Sequence, residues 1–298
     1  MQKPTLKHWL LLGYLTLFWG FAFYLIAVGL EVFAPVTIVW GRLTLGAVFM
    51  LVVLRFRGGR LPREASWWRR LLILSVTGNL LPFTLIAWAE QTVPSGEVGL
   101  LMALMPITIL LLAHWFLEHE PLTPMRILGV VAGFAGVALL LGDDLFAGDE
   151  GRLPGQLAAV LATLAYAANG IYTKRLPAFD TVAISAGSLL VGACLLLTPM
   201  LMQQTWVAPT DAPSSWLAVL VLGVLATGLA TWVYFTVVSE VGPGFLSTIN
   251  YLIPGVAFLA GTLLLGEPSG WVQWLALACI IAGVWLIQPK AKQADAEI

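Results

Sequence analysis

The chain has 298 residues, of which 59% are hydrophobic and 10% charged, with a mean hydropathy of +0.91 and a net charge of −1. This balance excludes a water-soluble domain and leaves no basic surface for nucleic acid, so no nucleic-acid partner is expected. At ~20 residues per membrane span there is room for about ten spans joined by short loops.

The first apolar run, roughly 9–29, follows MQKPTLKHW and lacks a small-residue cleavage site before Glu31. It reads as a retained first span rather than a cleaved leader. Charged, Gly/Pro and aromatic breaks then delimit spans at roughly 34–54, 69–89, 96–117, 124–141, 155–175, 180–203, 214–237, 244–265 and 271–288. Cys194 and Cys279 fall in separate apolar runs and predict no disulfide. The expected fold is an all-α polytopic membrane protein of ten transmembrane helices.

Basic residues orient these spans. With the N-terminus inside, the cytoplasmic side receives Lys3, Lys7, six arginines from Arg55 to Arg70, Arg126, Lys174, Arg175, Lys290 and Lys292, which is 13 of the 15. Only Arg152 falls outside, and Arg42 lies within a span. That asymmetry predicts both termini on the cytoplasmic side, and the expected location is a bacterial inner membrane.

The chain also repeats itself. Gly96, Pro106, Glu120-Pro121 and Gly136 are matched by Gly244, Pro254, Glu267-Pro268 and Gly283, with steps of 10, 14, 16 and 10, 13, 16 residues. The prolines interrupt long apolar runs at corresponding places, the pattern of carriers built from repeats. Five spans per half is an odd number, so the second half starts on the opposite side and its repeat is inverted. The expected units are 1–145 and 151–290, followed by a cytoplasmic tail at 291–298.

Trp19-Gly20 in the first span, Arg42 in the second, the Pro106/Glu120-Pro121 block and its copy at Pro254/Gly266-Glu267-Pro268 resemble the drug/metabolite transporter superfamily, specifically ten-span EamA-type carriers. The resemblance covers essentially the whole chain and implies a small-molecule transporter with no cofactor. It also implies a central cavity walled by spans 1, 3, 4, 6, 8 and 9, with spans 5 and 10 peripheral. Tyr166-Ala167 stands in span 6 where span 1 has Trp19-Gly20, so the second copy of that motif is degenerate.

Several residues are candidates to act on a substrate. Pro106 and Pro254 lack an N–H and free the carbonyls of Met102 and Asn250, as Pro82 frees that of Gly78. Such carbonyls must meet protein, water or ligand in a membrane, which makes both prolines candidate hinges and Met102 a candidate lining residue. Polar stripes at helical spacing comprise Asn79, Phe83, Ile86 and Glu90 in span 3, and Thr163, Tyr166, Gly170 and Thr173 beside Asn169 in span 6. Span 8 contributes Thr227, Thr231 and Tyr234 beside Trp232, and span 9 contributes Ser247, Asn250 and Tyr251. As a set these faces suit a lined cavity, though any one of them also serves as glue between helices. Trp19, Trp88, Tyr166, Trp232 and Tyr251 would wall that cavity with rings, fitting flat or amphipathic substrates.

Arg42 lies roughly eight residues, or ~12 Å, from the outer end of its span and calls for a partner, with Glu90 or Glu97 as candidates. It is either a gate or carboxylate anchor, or one half of a structural ion pair, and the structural role is favoured. Glu90 is the candidate for coupling to protons, but its closeness to the interface favours an ordinary solvated carboxylate. Glu120 and Glu267 read as caps on the helices that follow them. His114, near the inner end of span 4, reads as interfacial.

No phosphate-binding loop, zinc-ligand spacing or convincing Ser–His–Asp set is present, so an enzyme is not expected. The expected function is a secondary active exporter of small metabolites, with amino acids or related amphipathic compounds first. Efflux of cationic aromatic compounds, or a non-transporting sensor or scaffold, are the alternatives. Nothing in the sequence points to a particular oligomeric state.

Overall fold

A computed structural model describes residues 3–117, 122–147, 150–203, 208 and 210–288, and no strand occurs among them. In chain order the long helices are α1 (Leu6–Leu30), α2 (Pro35–Phe56), α3 (Ala65–Ala89), α4 (Ser95–Phe116), α5 (Pro124–Ala147), α6 (Leu153–Lys174), α7 (Thr181–Met202), α8 (Pro213–Glu240), α9 (Gly244–Leu264) and α10 (Trp271–Ile287). Eight of them are long and apolar enough to cross a membrane. The other two depart for different reasons. α10 is apolar but only 17 residues long, and α6 has its apolar run broken by Gln156, Thr163, Tyr166, Asn169 and Thr173.

Local chemistry sets the ends. α2 begins with Pro35 directly after an extended Ala34, using the missing proline N–H where no helical acceptor exists. α7 begins where Asp180 Oδ1 accepts the N–H groups of Val182 at 2.9 Å and Ala183 at 3.3 Å.

Four helices are irregular. α3 contains a π-helical turn at Val76–Leu80, immediately before Pro82, and α8 contains one at Val224–Leu229, where there is no proline. α4 breaks at residues 103–104, where Ala103 and Leu104 donate back only three residues, just ahead of Pro106. α9 breaks at 247–248, upstream of Pro254, which itself sits within a continuous helix from Ile249 to Leu264.

Packing pairs the first five helices with the last five. α1 lies against α8 and α9, while α6 lies against α3 and α4; α2 runs along α7, and α5 along α10. The α5–α10 pair is close because small residues face each other: a Cβ on Gly283 would meet Gly129 O at 2.6 Å. Leu43, Leu100, Leu101, Ile107, Leu222 and Ile280 are fully buried in one core that spans both halves.

Candidate functional site

The two π turns organise the interior. A π turn leaves carbonyls without their usual donor, and here neighbouring helices supply one. On α8, Tyr14 OH donates to Leu225 O at 2.8 Å and Trp19 Nε1 donates to Ala226 O at 3.0 Å, both from α1. On α3, Asn169 Nδ2 of α6 reaches Leu74 O at 3.2 Å and Thr77 Oγ1 at 3.0 Å. This approach requires Gly78, since a Cβ there would lie 2.6 Å from Asn169 Nδ2. Asn79, in the same turn, donates to Ser188 Oγ of α7 at 3.4 Å.

Arg42 of α2 is 7% exposed. Its Nε donates to Thr227 Oγ1 in the α8 turn at 2.7 Å, and its Cζ stands 3.7 Å over the Phe83 ring of α3. Neither expected carboxylate makes an ion pair with it. Glu97 is taken instead by Arg152 Nη2 and by Gln156 Nε2 at 2.7 Å, because α6 begins against the first turns of α4.

The solvated carboxylate expected at Glu90 is not what the structure holds. Both its oxygens are buried, and neither has a hydrogen-bond partner among the described residues. This end of α3 is packed against α6 and α2 rather than left in solvent.

Glu267 caps a helix, but a different one from that expected. Its carboxylate accepts Ser95 N–H at 2.7 Å and Gly96 N–H at 2.9 Å, satisfying the start of α4. Gly261 makes room for it, since a Cβ there would overlap Glu267 Oε2 at 2.1 Å. α10 closes its own N-terminus through Gln273 Oε1, which accepts Gly270 N–H at 2.9 Å. Glu120-Pro121 lies outside the described residues.

The remaining candidates divide by commitment. Trp19, Asn79 and Asn169 spend their polar groups on other helices, and Tyr251 OH donates to Val284 O of α10 at 3.4 Å. Met102 is buried at the α4 break. Trp88, Tyr166, Thr231, Trp232 and Asn250 make no side-chain hydrogen bond among the described residues, and the two indoles are 46% and 40% exposed. A crevice of about 560 Å³ opens between α2 and α8, lined by Trp40, Thr44, Trp216 and Leu220. It includes none of the candidates.

Some contacts had no signal in the sequence. Tyr14 looks like any interfacial tyrosine, and nothing marks Thr227 as the acceptor for Arg42. At the other end of α1, His8 is 2% exposed between Thr5 Oγ1 and Glu240 Oε2, each 2.8 Å away, and Lys7 Nζ also binds Glu240. These groups tie α1 to the end of α8.

Comparison with known proteins bears on this arrangement. The profile of the EamA-like transporter family matches the chain twice, over residues 7–142 and 153–288. A protein of Streptantibioticus cattleyicolor named "Probable terminal-alkyne amino-acid exporter" is 30% identical over 91% of this chain and 90% of its own. The inner membrane transporter YedA of Escherichia coli is 27% identical over 92% and 88%, respectively. A protein known from a crystal structure superposes with a TM-score of 0.70 at 22% identity, covering 98% of this chain and all of the other.

Proposed function

The chain belongs to the EamA-like transporter family, and from that premise we propose that this multi-pass membrane protein is an alternating-access exporter of amino acids or closely related amphipathic metabolites. In this reading all ten long helices cross a bacterial inner membrane, with both termini cytoplasmic. Residues 1–145 and 151–290 form two five-helix units of opposite orientation, and 291–298 is a cytoplasmic tail. α6 crosses despite its polar residues because Asn169 bonds to α3 and the Thr163 hydroxyl donates to Val160 O of its own helix rather than facing lipid.

The observation that carries the reading is an exchange of partners between the halves. α1 packs on α8 and α9 as α6 packs on α3 and α4. The two π turns begin at Val76 and Val224, a separation of 224 − 76 = 148 residues. Pro106 and Pro254 are separated by the same 254 − 106 = 148. Two units related in this way can rock about the helices between them and expose a shared site to each side in turn. The irregular stretches at 103–104, just ahead of Pro106, and at 247–248, upstream of Pro254, are where that motion is accommodated. Tyr166, Thr231, Trp232, Asn250 and Trp88, whose polar groups are uncommitted, are the residues left to face a substrate, with Met102 beside them.

Amino acids are preferred because the relative named as an amino-acid exporter aligns along nearly the whole chain. The unpartnered Glu90 favours a second reading, efflux of cationic aromatic compounds, which a carboxylate and exposed indoles would bind. Everted inner-membrane vesicles from cells expressing the protein discriminate the two. Accumulation of radiolabelled amino acids above that of vesicles lacking it is the expected result. Accumulation of aromatic cations alone would replace the first reading with the second.

A further inference from the structure

Arg42 and Glu90 are a buried pair of opposite charges that do not meet. Arg42 is 7% exposed, and its one hydrogen bond, from Nε to Thr227 Oγ1, leaves both Nη nitrogens without a partner among the described residues. Glu90 has both carboxylate oxygens buried and unpartnered. No salt bridge joins the two. Buried charges are normally paired and fully hydrogen-bonded, because an unsatisfied one is costly. Among the described residues, the buried carboxylate Glu97 follows that rule, with Arg152 and Gln156 as its partners. Glu90 breaks it, and Arg42, whose hydrogen bond is to the neutral Thr227, carries a charge with no counter-ion bonded to it.

Resting on the reading of the chain as an amino-acid carrier, we propose that Arg42 and Glu90 form a split charge pair that holds a zwitterion, the guanidinium taking the carboxylate and Glu90 taking the ammonium. The geometry suits such a ligand. Phe83 and Glu90 lie on one face of α3, seven residues or ~10 Å apart along it. Arg42 stands over Phe83, so the two charges straddle a gap along that face. An α-amino acid carries its opposite charges on adjacent atoms and, with a hydrogen bond at each end, bridges a gap of this order. Thr227 fixes the Nε edge of the guanidinium and leaves the Nη edge for bidentate contact with a carboxylate. Tyr166 of α6, from the second half of the chain, has a hydroxyl with no hydrogen bond among the described residues. Net charge also favours a zwitterion. It satisfies both residues at once, whereas a cation would leave Arg42 unanswered and an anion would leave Glu90 unanswered.

The test is counterflow of radiolabelled phenylalanine in liposomes containing the purified full chain. Competitors are phenylalanine, phenethylamine, which lacks the carboxylate, and 3-phenylpropanoate, which lacks the ammonium. Wild-type protein is expected to prefer the amino acid to either analogue by at least about tenfold, roughly the worth of one charge-assisted contact. Arg42→Gln should abolish the preference over phenethylamine alone, and Glu90→Gln the preference over 3-phenylpropanoate alone. Glu90→Asp and Arg42→Lys, which keep the charges, should retain most of both preferences. Amino-acid flux in wild type without preference over either analogue overturns the charge pair and leaves the carrier reading intact, and this needs no variant to fold. Neutral variants that retain both preferences overturn it as well. Flux of phenethylamine with none of phenylalanine overturns both readings.

Discussion

The contact of α2 with α8 and the contact of α7 with α3 share one construction. In each, a long helix runs past a π turn, and a donor from a third helix satisfies a carbonyl that the turn exposes. The polar bond between the two helices differs. α2 sends a buried guanidinium to Thr227 at 2.7 Å, while α7 offers Ser188 to Asn79 at 3.4 Å. If holding a helix against a π turn required a charge, both contacts would carry one. The α7–α3 contact holds with a long neutral bond, so the charge of Arg42 exceeds what packing demands. This argues against the structural ion pair favoured on sequence alone, as does the lack of any carboxylate paired with Arg42.

That difference can be attacked from both sides. The largest effect is expected from Thr227→Val, which leaves a buried cationic donor without its acceptor. It should lower unfolding free energy in mixed micelles by about 2 kcal/mol, and a loss under about 0.5 kcal/mol would mean that the Arg42–Thr227 bond contributes little. Arg42→Leu should cut the initial rate of amino-acid flux at least about tenfold, the equivalent of ~1.4 kcal/mol. The same variant should cost no more stability than Thr227→Val, since Arg42 has no carboxylate bonded to it that its loss would leave bare. Flux within twofold of wild type, assayed in the same liposomes, would return Arg42 to a structural role. Trp19→Phe removes one donor from the α8 turn and should cost about 1 kcal/mol of stability, read from the same unfolding curves. Ser188→Ala should be the mildest, about 0.5 kcal/mol or less with flux unchanged. A larger loss there would mean the two contacts are more alike than their bonds suggest.

Much of the fold was legible because lipid imposes a simple rule, that each crossing needs a long apolar helix. The predicted 34–54 and 180–203 became Pro35–Phe56 and Thr181–Met202. Pro82 and Pro106 marked two irregular places because a missing N–H is visible in sequence. The α8 turn was not legible, since it forms without a proline and is sustained by Tyr14 and Trp19, some 200 residues earlier. At the candidate site, Arg42 stood out as a charge within a span, but its partner did not. A threonine 185 residues away is no more conspicuous than any other small polar residue in a helix. Glu90 was misjudged for a related reason. Its position near a helix end suggested water, yet this end of α3 is packed against α6 and α2, which the sequence does not reveal. Glu267 was recognised as a cap, and only the fold could show that the helix it caps is α4.

The most direct test of the account uses purified, folded protein in liposomes loaded with radiolabelled amino acids and aromatic cations, with efflux followed with and without an imposed pH gradient. The account predicts saturable amino-acid efflux that depends on Arg42, and acceleration by the gradient would add proton coupling to it. Absence of flux for either class, from protein shown to be folded, would contradict it.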